Sequence, residues 1–178
     1  MKKLFFLVFF IVGSCTNKYG NYNPFNGGYS EKEIKENIYL VSYESRRLSD
    51  DIKNINLALL RASEIAIKKN KDYFEAHPYQ LKSLRSIRRQ FKNSTVEEIS
   101  RKAKILVNIN PKKVNSEITF NSRELCSLVM SLEYDEDWFD QRINCEANSK
   151  TDQKKTEEKL KSYHKNFNAI IKGDYLPK

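Results

Sequence analysis

"NIYLVSYESRRLSDDIKNINLALLRASEIAIKKN", residues 37–70, changes its hydrophobic period partway along. Over residues 37–43 the side chains are β-branched and aromatic. Tyr39, Val41 and Tyr43 share one face and Ile38 and Leu40 the other, which is the two-residue period of a strand. Over residues 49–69 the period becomes helical. Ser49 is placed as N-cap, and Asp50 and Asp51 suit the positive end of the helix dipole. Ile52, Ile55, Leu59, Ala62 and Ala66 form one stripe, with Leu60 and Ile67 beside it. Lys68 and Lys69 fall in the last turn, and Asn70 can take the left-handed conformation that ends a helix. A strand handing over to a long amphipathic helix sets the expectation of an α+β fold.

Reading onward, "DYFEAH", residues 72–77, predicts a second strand that stops at Pro78. "YQLKSLRSIRRQFKN", residues 79–93, is basic and amphipathic: Leu81, Leu84, Ile87 and Phe91 lie near one helical face, and a helix or a hairpin both fit. Lys82, Arg85, Arg88, Arg89 and Lys92 bring five positive charges with no acid among them, so they are candidates for contact with an anionic surface. "KAKILVNIN", residues 102–110, alternates, with Ala103, Ile105, Val107 and Ile109 on one face of a half-buried strand. Pro111 opens a turn, and "SEITF" fits a short strand or an ordered loop. "NSRELCSLVMSL", residues 121–132, predicts a helix capped by Ser122 and striped by Leu125, Leu128, Val129 and Leu132. "EYDEDWFDQR" reads as an acidic loop or a short helical turn around Trp138. Residues 151–172 predict a third helix, striped by Leu160, Tyr163, Phe167, Ile170 and Ile171 and stopped by Gly173. The sum is one α+β domain: a small, mostly antiparallel sheet of three or four strands packed against two helices, with a C-terminal helix as cover. Strand order stays open, because the pattern after Pro111 does not fix a hairpin.

Reading backward from Asn37 changes the subject from fold to location. Met1-Lys2-Lys3 is followed by nine apolar residues, Leu4 to Val12. A spanning helix needs roughly 20 such residues, so this run reads as an export signal. It ends Val12-Gly13-Ser14-Cys15, which resembles the lipobox of bacterial lipoproteins. The resemblance implies a diacylglycerol on the Cys15 sulfur, cleavage before Cys15 and a further acyl chain on the new amine; two or three chains hold a protein stably on a bilayer. The expected organisation is a signal peptide over 1–14, a lipidated N-terminus and flexible tether over 15–27, and a single domain over 28–178. Tyr19, Tyr22 and Phe25 in the tether can meet the lipid interface or fold back onto the domain. Removing two lysines with the signal lowers the formal charge from +9 to +7. The implied partner is the bilayer through Cys15, with anionic lipid or an envelope polymer as further candidates; nucleic acid is not expected of an exported chain. Thr16 after the cysteine, by resemblance to lipoprotein sorting in Gram-negative bacteria, points to the outer membrane.

"GGYSEKEIKENIYLVSYES", "LLRASEIAIKKNKDYF", "AKILVNI" and "NSRELCSLV" together resemble a family of small bacterial lipoproteins of unknown function. The features that carry the resemblance fall on Gly28, Tyr29, Ser30, Asn37, Arg61, Ala62, Glu64, Asp72, Tyr73 and Phe74. The resemblance covers residues 27–77 well and 100–130 loosely; Asn70 stands where the family has Gly, and neither the basic insertion nor the stretch after Leu132 has a counterpart. It implies fold and location and brings no catalytic residue.

Chemistry-bearing residues are few. Arg61 and Glu64, three apart on a helix, fit an ordinary ion pair; with Asp72 they are the charged residues of the matched core, and a site reading stays open. His77 and His164 lack the spacing of a metal site. Glu133, Asp135, Glu136, Asp137 and Asp140 lack the alternation and glycine of a calcium loop. No nucleophile elbow, P-loop or dinucleotide fingerprint occurs, so neither cofactor nor metal is expected, and a non-enzymatic module is favoured over a surface-acting hydrolase or ligand-binding domain. Cys126 could pair with His77 as a nucleophile, or with Cys145 in a disulfide of an oxidising compartment, or lie inert in the core.

Overall fold

The structure is a computed structural model that describes residues 19–24, 27–45, 50–91, 94–111, 116–133, 145 and 153–171, with the backbone path alone over 84–91 and 94–99 and at residues 153, 168, 170 and 171. The elements are β1 (Gly27–Lys35), β2 (Ile38–Ser45), α1 (Asp51–Lys68), β3 (Tyr73–Phe91), β4 (Ser94–Asn108), β5 (Thr119–Asn121), α2 (Ser122–Glu133) and α3 (Gln153–Ile171). The five strands form one sheet in the order β1-β2-β4-β3-β5, and every pair of neighbours is antiparallel. The α+β architecture matches the expectation, with one or two strands more than the sequence pattern indicates.

One face of the sheet is covered by helices. Tyr39, Val41 and Tyr43 from β2, Ala103, Ile105 and Val107 from β4, and Phe74 and Ala76 from β3 all point into this core, and each is buried. α1 lies between the sheet and α2. It is therefore buried over most of its girth, and Leu57, Ala58 and Ile65 join the predicted stripe while Ile52, at its start, stays exposed. α3 seals the far side through Leu160, Tyr163 and Phe167, whose rings meet Phe120 and one another edge-on at 5.4 and 5.8 Å. Edge-to-face contact suits the aromatic quadrupoles better than a flat sandwich does. Leu132, placed on the α2 stripe by its spacing, is exposed in the last turn.

The helix ends show how local chemistry sets boundaries. Asp50, rather than Ser49, caps α1: its carboxylate accepts from the Ile52 backbone N–H. At the other end Asn70 takes φ 55°, Lys71 N–H reaches the Ala66 carbonyl, and Asn70 N–H reaches that of Ile67. This pair of bonds is the Schellman arrangement, and Asn fills the left-handed position at modest cost. Asn121, rather than Ser122, caps α2 by accepting from the backbone N–H groups of Arg123 and Glu124. The Ser122 hydroxyl is instead directed at the carbonyls of Lys71 and Asp72, fastening α2 to the turn after α1. A deeper polar tie sits at Asn56, which is buried. Its amide N–H₂ donates to Glu133 at 2.6 Å and its carbonyl oxygen meets His164 Nε2 at 2.8 Å, so one side chain joins α1, α2 and α3.

Of the two readings open for 79–93, the described residues take the hairpin rather than the helix. β3 does not stop at Pro78; its pairing with β4 shifts register there and continues to Phe91. The row Gly27–Ser45–Arg101–Ser83 is the last one in which four strands stand side by side. Beyond it β3 and β4 continue alone as a two-stranded ribbon. Eight residues of strand make it about 27 Å long.

Candidate functional site

The N-terminal segment is folded onto the domain. Residues 19–24 are held in place, which is the fold-back that the sequence left open for this stretch; residues 15–18, 25 and 26 lie outside the described residues. Gly28, at φ 121°, makes this possible: a Cβ there would lie 2.5 Å from the Gly20 carbonyl oxygen. Without one, Gly20 and Tyr22 run along the outer edge of β1, with Tyr29 N–H donating to Gly20 and Tyr22 N–H to Tyr29, both at 2.8 Å. Covering an exposed strand edge in this way removes a template for aggregation.

Side chains close the clasp. Tyr19 is buried between Tyr29, at 5.2 Å, and Tyr43, at 6.2 Å between ring centroids. Its hydroxyl donates to Glu64 Oε2 at 2.5 Å. Glu64 also accepts from Arg61 at 3.1 Å, and Arg61 forks onto both oxygens of Glu31 on β1 while its guanidinium lies 4.1 Å from the centre of the Tyr29 ring. Bidentate arginine–carboxylate geometry combined with stacking is specific to Arg; Lys would supply the charge without the fork. Burial, followed by the Glu64 carboxylate, raises the Tyr19 pKa well above its ordinary value, so the phenol stays a neutral donor. Burial alone would lower the Arg61 pKa, but the Glu31 and Glu64 carboxylates outweigh it and raise it.

Arg61 and Glu64 are thus an ion pair, as their spacing suggests, embedded in a larger network that sequence reading missed. The missing partners, Tyr19 and Glu31, are distant in sequence. The available signal was the aromatic spacing of "KYGNY", residues 18–22. Gly28, Tyr29, Arg61 and Glu64 meet at this clasp, and Ser30 pairs with Ser42 at 2.8 Å beside it. Asn37 takes φ 63° in the β1–β2 turn, and the backbone carbonyl of Asp72 accepts from Ser122.

The other candidates are dispersed. Asp72 is exposed, on the turn between α1 and β3. His77 is exposed and 3.6 Å from Glu75. Cys126 is bonded to Cys145, with Cα atoms 5.5 Å apart, so its sulfur is not available to His77 as a nucleophile. Lys82, exposed, and the backbone positions of Arg85, Arg88 and Arg89 lie along β3; Lys92 lies outside the described residues, as do Cys15, Gly173, Trp138 and the acids Asp135 to Asp140. Among the described residues no three His, Cys, Asp or Glu side chains gather as a metal site, and no helix is long and apolar enough to cross a membrane. Comparison with protein-family models, curated proteins and solved structures finds no match.

Proposed function

We propose that this chain is a bacterial envelope lipoprotein, anchored through an acylated Cys15 and acting as a non-enzymatic interaction or structural module at the membrane surface. The observation that carries this reading is Val12-Gly13-Ser14-Cys15 directly behind a dilysine start and nine apolar residues. Two features of the domain support it. Tyr19 is locked into the core four residues after Cys15, and four residues span at most about 14 Å. An anchor at Cys15 would therefore hold the domain against its membrane rather than on a long leash. In addition, the polar network at the N-terminus is spent on mutual contacts that fix the segment, and it leaves no free nucleophile or base of its own. The outer membrane is the destination that Thr16 favours by resemblance.

Metabolic labelling with a fatty-acid analogue tests the reading. The wild-type chain should take up label and fractionate with membranes, and Cys15→Ser should do neither. Equal labelling and fractionation of both would refute it.

A further inference from the structure

Tyr19, the first described residue, and the ribbon's root stand at the same end of the domain. The clasp sits on the row Tyr29–Tyr43–Ala103–Leu81, two residues inside the row at which the four-strand sheet stops and the ribbon begins. Tyr22 confirms the neighbourhood: its ring lies 5.6 Å from the ammonium of Lys102, which is on β4 at the ribbon's root. Lys102 in turn bonds Glu44 at 3.3 Å, so the root is cross-linked to β2.

Lengths then decide what the ribbon meets. It reaches about 27 Å beyond the sheet, whereas the chain from Tyr19 back to Cys15 spans at most about 14 Å. A ribbon twice as long as the leash, rooted at the same end, has within its reach a surface to which that end is drawn, and charge then decides whether it lies down on it. Its composition agrees. Over the ribbon, residues 84–91 and 94–100, Arg85, Arg88 and Arg89 stand against Glu97 and Glu98, a net charge of +1, and Lys82 adds a further positive charge at the root. A two-stranded ribbon is also marginally stable by itself, so it gains most from a surface that lies along it.

We infer that the β3–β4 ribbon lies on the anionic headgroups of the membrane that carries the anchor. This rests on the lipid-anchor reading for its geometry. The occupant is an acidic lipid surface, chosen over a soluble acidic polymer because the anchor and the ribbon share one end.

The test uses the acylated protein in vesicles, with a fluorophore on Ser94→Cys at the ribbon's far end and a quencher on the lipid headgroups. Phosphatidylglycerol vesicles should quench the label and phosphatidylcholine vesicles should not. Quenching should disappear at about 1 M salt, where charges more than about 3 Å apart are screened. Replacing Arg85, Arg88 and Arg89 by Gln should weaken docking about a hundred-fold, at about five-fold per charge. Glu97→Gln with Glu98→Gln should strengthen it. Absence of quenching on phosphatidylglycerol, or equal quenching on both lipids, overturns the inference; protection by soluble polyphosphate without quenching overturns it in favour of a polymer. Flotation with the vesicles at about 1 M salt reports the anchor separately. If the protein fails to float, the anchor reading falls, and low-salt quenching of the labelled Cys15→Ser chain still decides the ribbon.

Discussion

Tyr19→Phe removes one oxygen from the clasp and leaves its stacked ring in place. The lost bond runs from a buried phenol to a carboxylate at 2.5 Å. Hydrogen bonds to charged groups contribute about 1.5–3 kcal/mol. The lower end applies here, because the Glu64 side chain is 20 % exposed and keeps its bond to Arg61 at 3.1 Å. The expected loss is therefore about 1.5 kcal/mol, or about 4 °C in Tm for a domain of this size. Urea unfolding followed by circular dichroism measures it. A double-mutant cycle with Glu64→Ala isolates the pair, since Tyr19→Phe should cost almost nothing once the carboxylate is gone. If Tyr19→Phe costs the same in both backgrounds, the Tyr19–Glu64 bond is not what holds the segment, and the account of the clasp is wrong.

Reducing the Cys126–Cys145 disulfide should lower stability by about 3 kcal/mol in the chain-entropy account, given its separation of 19 residues; thermal melts with and without reductant measure the loss, and alkylation of both thiols in the folded, unreduced protein would disprove the bridge. His164 predicts a pH dependence. Burial lowers its pKa, against an opposing pull from Asp50, so the unfolded chain binds the proton more readily than the folded one. That contribution is complete above the unfolded value of about 6.5 and is lost as pH falls below it toward the folded value. Urea midpoints should therefore drop between about pH 7 and pH 5, and His164→Gln should flatten that part of the profile; an unchanged slope would remove His164 as its source.

Sequence periodicity reports a strand or helix only where one face is buried, and this chain shows both sides of that rule. β2 and the second half of β4 are legible because Tyr39, Val41, Tyr43, Ala103, Ile105 and Val107 all face helices. The ribbon runs past the last row shared by four strands, and the three-residue spacing of Leu81, Leu84 and Ile87 imitates a helix there. β1 left no signal for a similar reason: after Tyr29 it is an exposed edge strand written Ser-Glu-Lys-Glu-Ile-Lys. The two caps lie one residue from where the spacing put them because Ser49-Asp50 and Asn121-Ser122 each offer two adjacent acceptors; at α2, the bonds of the Ser122 hydroxyl to Lys71 and Asp72 leave the cap to Asn121. Of the clasp, the Arg61–Glu64 half was readable from helix spacing. The other half joins Tyr19 to a residue 45 positions away, and no local pattern encodes that.

The clasp also sets how the domain bears load. Tension entering at the N-terminus first meets Tyr19, whose ring and hydroxyl pass it to Tyr43 and Glu64, in the interior of the sheet and on α1. Only after Tyr19 does the chain reach the two bonds that hold Gly20 and Tyr22 to the β1 edge. Edge bonds of that kind open one at a time when a strand is peeled, whereas a buried ring must be withdrawn whole. Tyr19 thus works as a strain relief of the sort that protects a cable where it enters a housing. The two edge bonds are shielded from the pull, and force is delivered to the buried Tyr43 in the core and to Glu64 on α1.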